Sequence, residues 1–195
     1  MKKILFAVLS LILILFLFFM FNLEVINSPR LDDNNHINNS NITHIANMTY
    51  AENGVTFNYP AEWKQIDNLY NKARWGVGPA TAAFEDPSDP DNETYFYIKP
   101  RYVTSLDEMM STYRVDIANL GQEEVSSRNI TVNGMRAVEF IKSWHKEGIP
   151  KQALTIHYEV VPGSVYYRFG GVTTLERYNE TLPKFELVVY SFQGQ

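Results

Sequence analysis

From Met48 onward, apolar side chains recur mostly at every second position, the period of a half-buried strand. After the turn signal Asn53-Gly54, Val55, Phe57 and Tyr59 alternate with Thr56 and Asn58 until Pro60 ends the run. A second extended piece is expected around Trp63–Ile66, then a Gly/Pro-punctuated loop at Gly76, Gly78 and Pro79. A strand begins at Thr81–Phe84, and after a polar turn over Glu85–Asn92 the chain returns as a Tyr- and Phe-rich strand over Thr94–Val103. The period then changes. Leu106, Met109 or Met110, Tyr113, Ile117 and Leu120 follow helical spacing. Ser105 and Glu108 fit a capping box, in which each side chain satisfies the other's backbone N–H, and Gly121 is a natural stop.

Two hairpins come next. Asn133-Gly134 is a strong two-residue turn signal, and its register sets Arg128 opposite Glu139. The second hairpin turns at Pro162-Gly163. Its first strand places Leu154, Ile156, Tyr158 and Val160 on one face and Thr155, His157 and Glu159 on the other; its second strand is Val165–Thr173. Gly170-Gly171 reads as a bulge or bend. A closing helix carries Leu182, Phe185, Val188 or Val189, and Phe192, with Pro183 in its first turn. Strands, a helix, four hairpin-connected strands and a final helix imply an α+β fold, an antiparallel sheet flanked by helices, and exclude a dinucleotide-binding βαβ array.

The amino terminus breaks both periods. Lys2 and Lys3 precede a run from Ile4 to Phe21 whose only polar residue is Ser10. Such a run spans roughly 27 Å as a helix, close to the hydrocarbon thickness of a bilayer. It lacks small residues at a cleavage position, so it reads as an uncleaved signal anchor, not a signal peptide. Lysines before the span keep that end cytoplasmic. The expected organisation is a cytoplasmic tip and transmembrane anchor over 1–26, a disordered Asn-rich linker over 27–48, and an extracytoplasmic domain over 49–195 of a single-pass membrane protein.

Composition sharpens this picture. Six Asn-x-Ser/Thr sequons, at Asn38, Asn41, Asn47, Asn92, Asn129 and Asn179, fit an exported, glycosylated surface. With no cysteine, neither disulfides nor thiolate chemistry can contribute. A net charge of −5 without a basic stripe argues against nucleic acid as a partner.

The stretch Gly54-Val55-Thr56-Phe57-Asn58-Tyr59-Pro60-Ala61-Glu62-Trp63 is similar to the opening of the PsbP/Mog1-like superfamily, and the ending through Phe185, Ser191 and Phe192 resembles that family's last helix. The order of helix and hairpins between them matches as well, so the resemblance covers residues 50 to 193 and extends to anchored archaeal members. It implies an α/β/α sandwich and no shared catalytic residues. Family members serve photosystem II or a small GTPase as accessories, so another membrane or envelope protein is the implied partner. The long N-terminal segment by which the photosystem protein engages its partner has no counterpart, and a photosynthetic role is not expected.

Candidate chemistry is sparse. Asp86, Asp89, Asp91 and Glu93 form an acidic turn that offers oxygens to a weakly held divalent cation, although two prolines stiffen it and a solvated hairpin tip explains it equally. No other cofactor is expected. His157 and Glu159 share a strand face, with Arg168 from the neighbouring strand. Trp144 and His145 lie on the preceding strand, and these five residues make a candidate ligand or partner surface. There is no Gly-x-Ser-x-Gly, Ser-x-x-Lys or HExxH, and a noncatalytic binding module is expected, with a solute- or metal-ion-binding surface domain as the alternative.

Overall fold

In the computed structural model, residues 45–66 and 80–194 are described. The anchor and most of the linker expected from the sequence lie outside them. Among the described residues no helix is long and apolar enough to cross a membrane.

The strands are β1 (Asn47–Glu52), β2 (Val55–Pro60), β3 (Lys64–Gln65), β4 (Ala82–Glu85), β5 (Tyr95–Arg101), β6 (Glu123–Val132), β7 (Met135–Lys146), β8 (Ile149–Val161), β9 (Val165–Thr174) and β10 (Gln193–Gly194). Two helices interrupt them, α1 (Leu106–Asn119) and α2 (Tyr178–Ser191). Every strand pairing is antiparallel. A three-stranded sheet has the order β1-β2-β10, and a seven-stranded sheet the order β3-β4-β5-β9-β8-β7-β6.

Turn chemistry sets the register. Asn53 and Gly54 take φ of 53° and 74°, and Asn133 and Gly134 take 49° and 81°. Two consecutive positive φ values match the right-handed twist of the flanking strands. Arg128 therefore does face Glu139, its Nε 2.7 Å from Oε1. A third turn of this kind was not expected. Glu147 and Gly148, at φ 54° and 85°, join β7 directly to β8, so β6 to β9 form one continuous meander and not two separate hairpins.

Helix α1 starts as expected, but its cap differs. The Ser105 side chain accepts from the Glu108 N–H at 3.1 Å, while Glu108 Oε2 accepts from Thr104 N and Oγ1, one residue before the capping-box partner. Helix α2 begins earlier than the apolar spacing suggests, at Tyr178, which sets Pro183 in the second turn. There the proline withholds the donor that would reach the Asn179 carbonyl. Phe192 is not helical; it is the extended cap residue that leads into β10.

The helices cover opposite faces of the large sheet, because adjacent residues of one strand point to opposite sides. On one face α2 buries Phe185, Val188 and Val189 against Leu154, Ile156, Tyr158 and Phe169, with Phe57, Trp63 and Phe96 completing the cluster. On the other, Leu106, Met109, Tyr113 and Ile117 of α1 pack on Val138, Phe140 and Tyr166. Gly170 and Gly171 form no bulge, since pairing runs regularly through both. They are glycine because rings lie on them: a Cβ would stand 2.4 Å from the Tyr97 ring at Gly170 and 2.8 Å from the Phe185 ring at Gly171.

Candidate functional site

The α1 face of the large sheet is unlike an ordinary core. Across three neighbouring strands, Lys99 of β5 stands opposite Arg168 of β9, which stands opposite His157 of β8. All three are buried: Lys99 is 8% exposed, Arg168 6% and His157 0%. Two residues along β5 is Arg101, and further along β7 are Lys142 and Trp144, all half-buried. Helix α1 lays Tyr113 over this row. Its ring lies 4.5 Å from the Arg168 guanidinium, 5.4 Å from Lys142 Nζ and 4.6 Å from the His157 ring, and its hydroxyl meets Thr155 Oγ1 at 2.9 Å. Lys142 Nζ also sits 5.2 Å from the Trp144 ring and donates to Gln122 Oε1 at 2.7 Å. On the far side, Tyr97 lies across Gly170, beside the Arg168 guanidinium.

Positive charge is concentrated here. Asp116 of α1 acts on Lys99, Arg101 and Lys142 from across the row. Arg168 Nε and Nη2, Arg101 Nε and both ring nitrogens of His157 are buried without a hydrogen-bond partner. Burial, reinforced by Arg168 and Lys99, pulls the Lys142 ammonium down to about 8, and burial, reinforced by Arg168 and Arg101, brings Lys99 to about 8 as well. Burial, with Arg168, Arg101, Lys142 and Lys99 around it, holds the His157 imidazole well below its ordinary value, so the ring is neutral at pH 7.

This arrangement can hold negative charge. It is not arranged for proton transfer, because His157 has no acceptor to fix its tautomer and no hydroxyl nucleophile on either nitrogen.

Of the expected surface residues, Trp144, His157 and Arg168 converge here. Glu159 does not, since its carboxylate accepts from Arg136 Nη1 at 3.0 Å and Tyr166 Oη at 3.1 Å. His145, one residue past Trp144 on β7, points to the other face and is exposed. Sequence reasoning missed Lys99, Arg101, Lys142 and Tyr113. The available signal was Tyr97, Lys99 and Arg101 at a spacing of two, which placed two cations on one side of the aromatic strand β5.

The acidic turn is internally neutralised. Arg177 reaches Asp89 at 3.1 Å and Asp86 at 3.4 Å, Lys184 reaches Asp86 at 3.5 Å, and Glu93 pairs with Lys146 at 2.8 Å and Lys151 at 2.9 Å. Asp86 and Asp89 also accept backbone N–H bonds from Ser88, Asp91 and Glu93, while Asp91 is exposed. Burial opposes ionisation of Asp86, Asp89 and Glu93, but these hydrogen bonds and cations together hold all three below the usual carboxylate range. Among the described residues no group of three or more His, Asp or Glu side chains is placed to hold a metal ion. Of the sequons, Asn47, Asn92, Asn129 and Asn179 are exposed, and Asn38 and Asn41 lie outside the described residues. A separate cleft of about 390 Å³ opens beside Leu106 and is lined by Asn129, Ile130, Thr131, Ala137 and Arg136, the last already paired with Glu159.

No family model and no curated protein sequence matches the chain. Solved structures do. A cyanobacterial PsbP (CyanoP) from Synechocystis sp. PCC 6803 is 17% identical with a TM-score of 0.57, over 77% of this chain and 93% of that one. LpqN, involved in cell envelope biogenesis of Mycobacterium tuberculosis, is 13% identical with a TM-score of 0.56, over 77% and 91%. A protein from Bacteroides thetaiotaomicron is 11% identical with a TM-score of 0.52, over 75% of this chain and 48% of that one. At such identities the likeness is one of fold.

Proposed function

We propose that this chain, whose domain has the PsbP/Mog1-like fold, is a noncatalytic extracytoplasmic accessory module. Its apolar amino-terminal segment holds it at the membrane, and it serves another membrane or envelope protein by binding. The observation that carries the binding reading is the buried cationic row under α1, built for holding a partner group and lacking an oriented acid–base pair. Two features favour an envelope setting: the apolar segment behind Lys2 and Lys3, and the likeness in fold to LpqN, a protein of envelope biogenesis. The alternative of a divalent cation on the acidic turn has weaker support, because four cations already engage Asp86, Asp89 and Glu93.

Crosslinking of the native protein in intact membranes, followed by mass spectrometry of the attached species, tests this reading. Recovery of one defined membrane or envelope complex is the expected outcome. Recovery of nothing above background would refute the accessory role.

A further inference from the structure

Arginine offers carboxylates and phosphates a fork, the parallel N–H bonds of Nε and one terminal nitrogen. In Arg168 the Nε and Nη2 atoms are the ones without a partner. Tyr113 covers the face of the guanidinium at 4.5 Å and Tyr97 lies beside it, while that edge stays unsatisfied. An unpaired charged donor buried in this way is costly, and natural interiors seldom retain one without a partner. Around the edge stand Arg101, with its own unpartnered Nε, Lys142, and His157 with two unpartnered nitrogens. In a chain of net charge −5, this is a local inversion of sign. Arg101, Lys142, Trp144 and Tyr97 around it are half-buried, so the cluster reaches towards solvent on this side.

We infer that the Nε–Nη2 edge of Arg168 is the receptor for an oxyanion, a carboxylate or a phosphate-type group, with Arg101 and Lys142 supplying the surrounding charge. The neutral His157 ring supplies a further N–H. This deepens the reading of the face as a binding site and rests on it. The oxyanion belongs either to a free solute or to a group carried by the partner, and both present the same chemistry to the fork.

The test is a thermal melt of the full chain in detergent with sodium phosphate, sodium sulfate or sodium succinate, each against sodium chloride at equal ionic strength. At ten times its dissociation constant, a bound oxyanion raises the melting temperature by about 3–6 °C over chloride. A response to phosphate or sulfate alone assigns a phosphate-type group, and one to succinate a carboxylate; either supports the site. Arg168→Lys keeps the charge but loses the fork, and is expected to weaken apparent affinity about tenfold or more. Arg136→Gln, remote from the edge, is expected to retain the response. Should Arg168→Lys fail to fold, the ring-nitrogen resonances of His157 in the wild-type chain decide, since they move on titration with the responding anion if the site is real. No rise beyond chloride, together with unmoved His157 resonances, overturns the proposal. If crosslinking in membranes nonetheless recovers a partner, the accessory role stands and only the oxyanion site falls.

Discussion

The same strands build two interiors of opposite character. On the α2 face, β5, β8 and β9 present Phe96 and Ile98, Leu154 and Ile156, and Phe169, a continuous aromatic and aliphatic cluster. One residue away on each strand, the α1 face presents Tyr97 and Lys99, Thr155 and His157, and Arg168. Apart from the half-buried Tyr97, burial is similar on both sides, so exposure does not separate them. The chemistry does. The α2 face gains from water exclusion and ring packing, with Phe169 centred 5.7 Å from Phe96 and 6.0 Å from Phe185. The α1 face keeps polar atoms of Arg168, Arg101 and His157 out of water without hydrogen-bond partners, an arrangement that costs stability.

Substitutions at adjacent positions should therefore act with different sign. Phe169→Ala opens a cavity in the apolar cluster and is expected to cost about 3–5 kcal/mol by chemical denaturation. Gly171→Ala drives a methyl into the Phe185 ring at 2.8 Å and should cost about 1–3 kcal/mol in the same assay. Arg168→Met, one strand position from Phe169, is expected to leave stability unchanged or raise it by up to about 2 kcal/mol, because an unpaired buried cation is exchanged for an apolar chain. A loss of comparable size would mean that the guanidinium is satisfied internally, and would erase the contrast.

The pH dependence sharpens the comparison further. His157 is held below its ordinary value of 6.5 in the folded state, so an unfolded chain takes up a proton at higher pH than the folded one. Its stabilising contribution is complete above pH 6.5 and drains as the pH falls towards the lower folded value. A loss of about 1 kcal/mol is expected between pH 6.5 and 5.5, and His157→Gln should flatten that slope. The carboxylates of the acidic turn are also lowered, but from ordinary values of 3.8 and 4.5, so their contribution is lost in a separate window below about pH 4.5. A similarly small effect belongs to Arg128→Ala. This residue, itself half-exposed, pairs across β6 and β7 with the buried Glu139, and its removal should cost about 1 kcal/mol by thermal melting.

Much of the fold was legible because its signals are local. Asn53-Gly54 and Asn133-Gly134 specify their turns through backbone conformation alone, and Ser105 starts α1 through a side chain three residues from its partner. Glu147-Gly148 carries no comparable two-residue turn signal, because glutamate is a poor residue for positive φ; the turn is closed by the long strands that pair on either side of it. Pro183 was assigned to the wrong turn because α2 begins at Tyr178 without a side-chain cap to announce it. Gly170 and Gly171 read as a bend, whereas the rings that require them come from β5 and from α2, far along the chain.

Of the site, the sequence by itself determined that Thr155, His157 and Glu159 share a face, because alternation along a strand is geometric. It also determined the apolar amino-terminal run, the missing cysteines and the sequons, which follow from composition. Only the tertiary structure decided that Arg168 stands between Lys99 and His157, that Glu159 is taken by Arg136 and Tyr166, and that Tyr113 closes the row. Those facts depend on strand order in a seven-stranded sheet and on which face a helix covers. Neither is written in local periodicity, since a polar strand face reads the same whether it meets water or is buried beneath a helix.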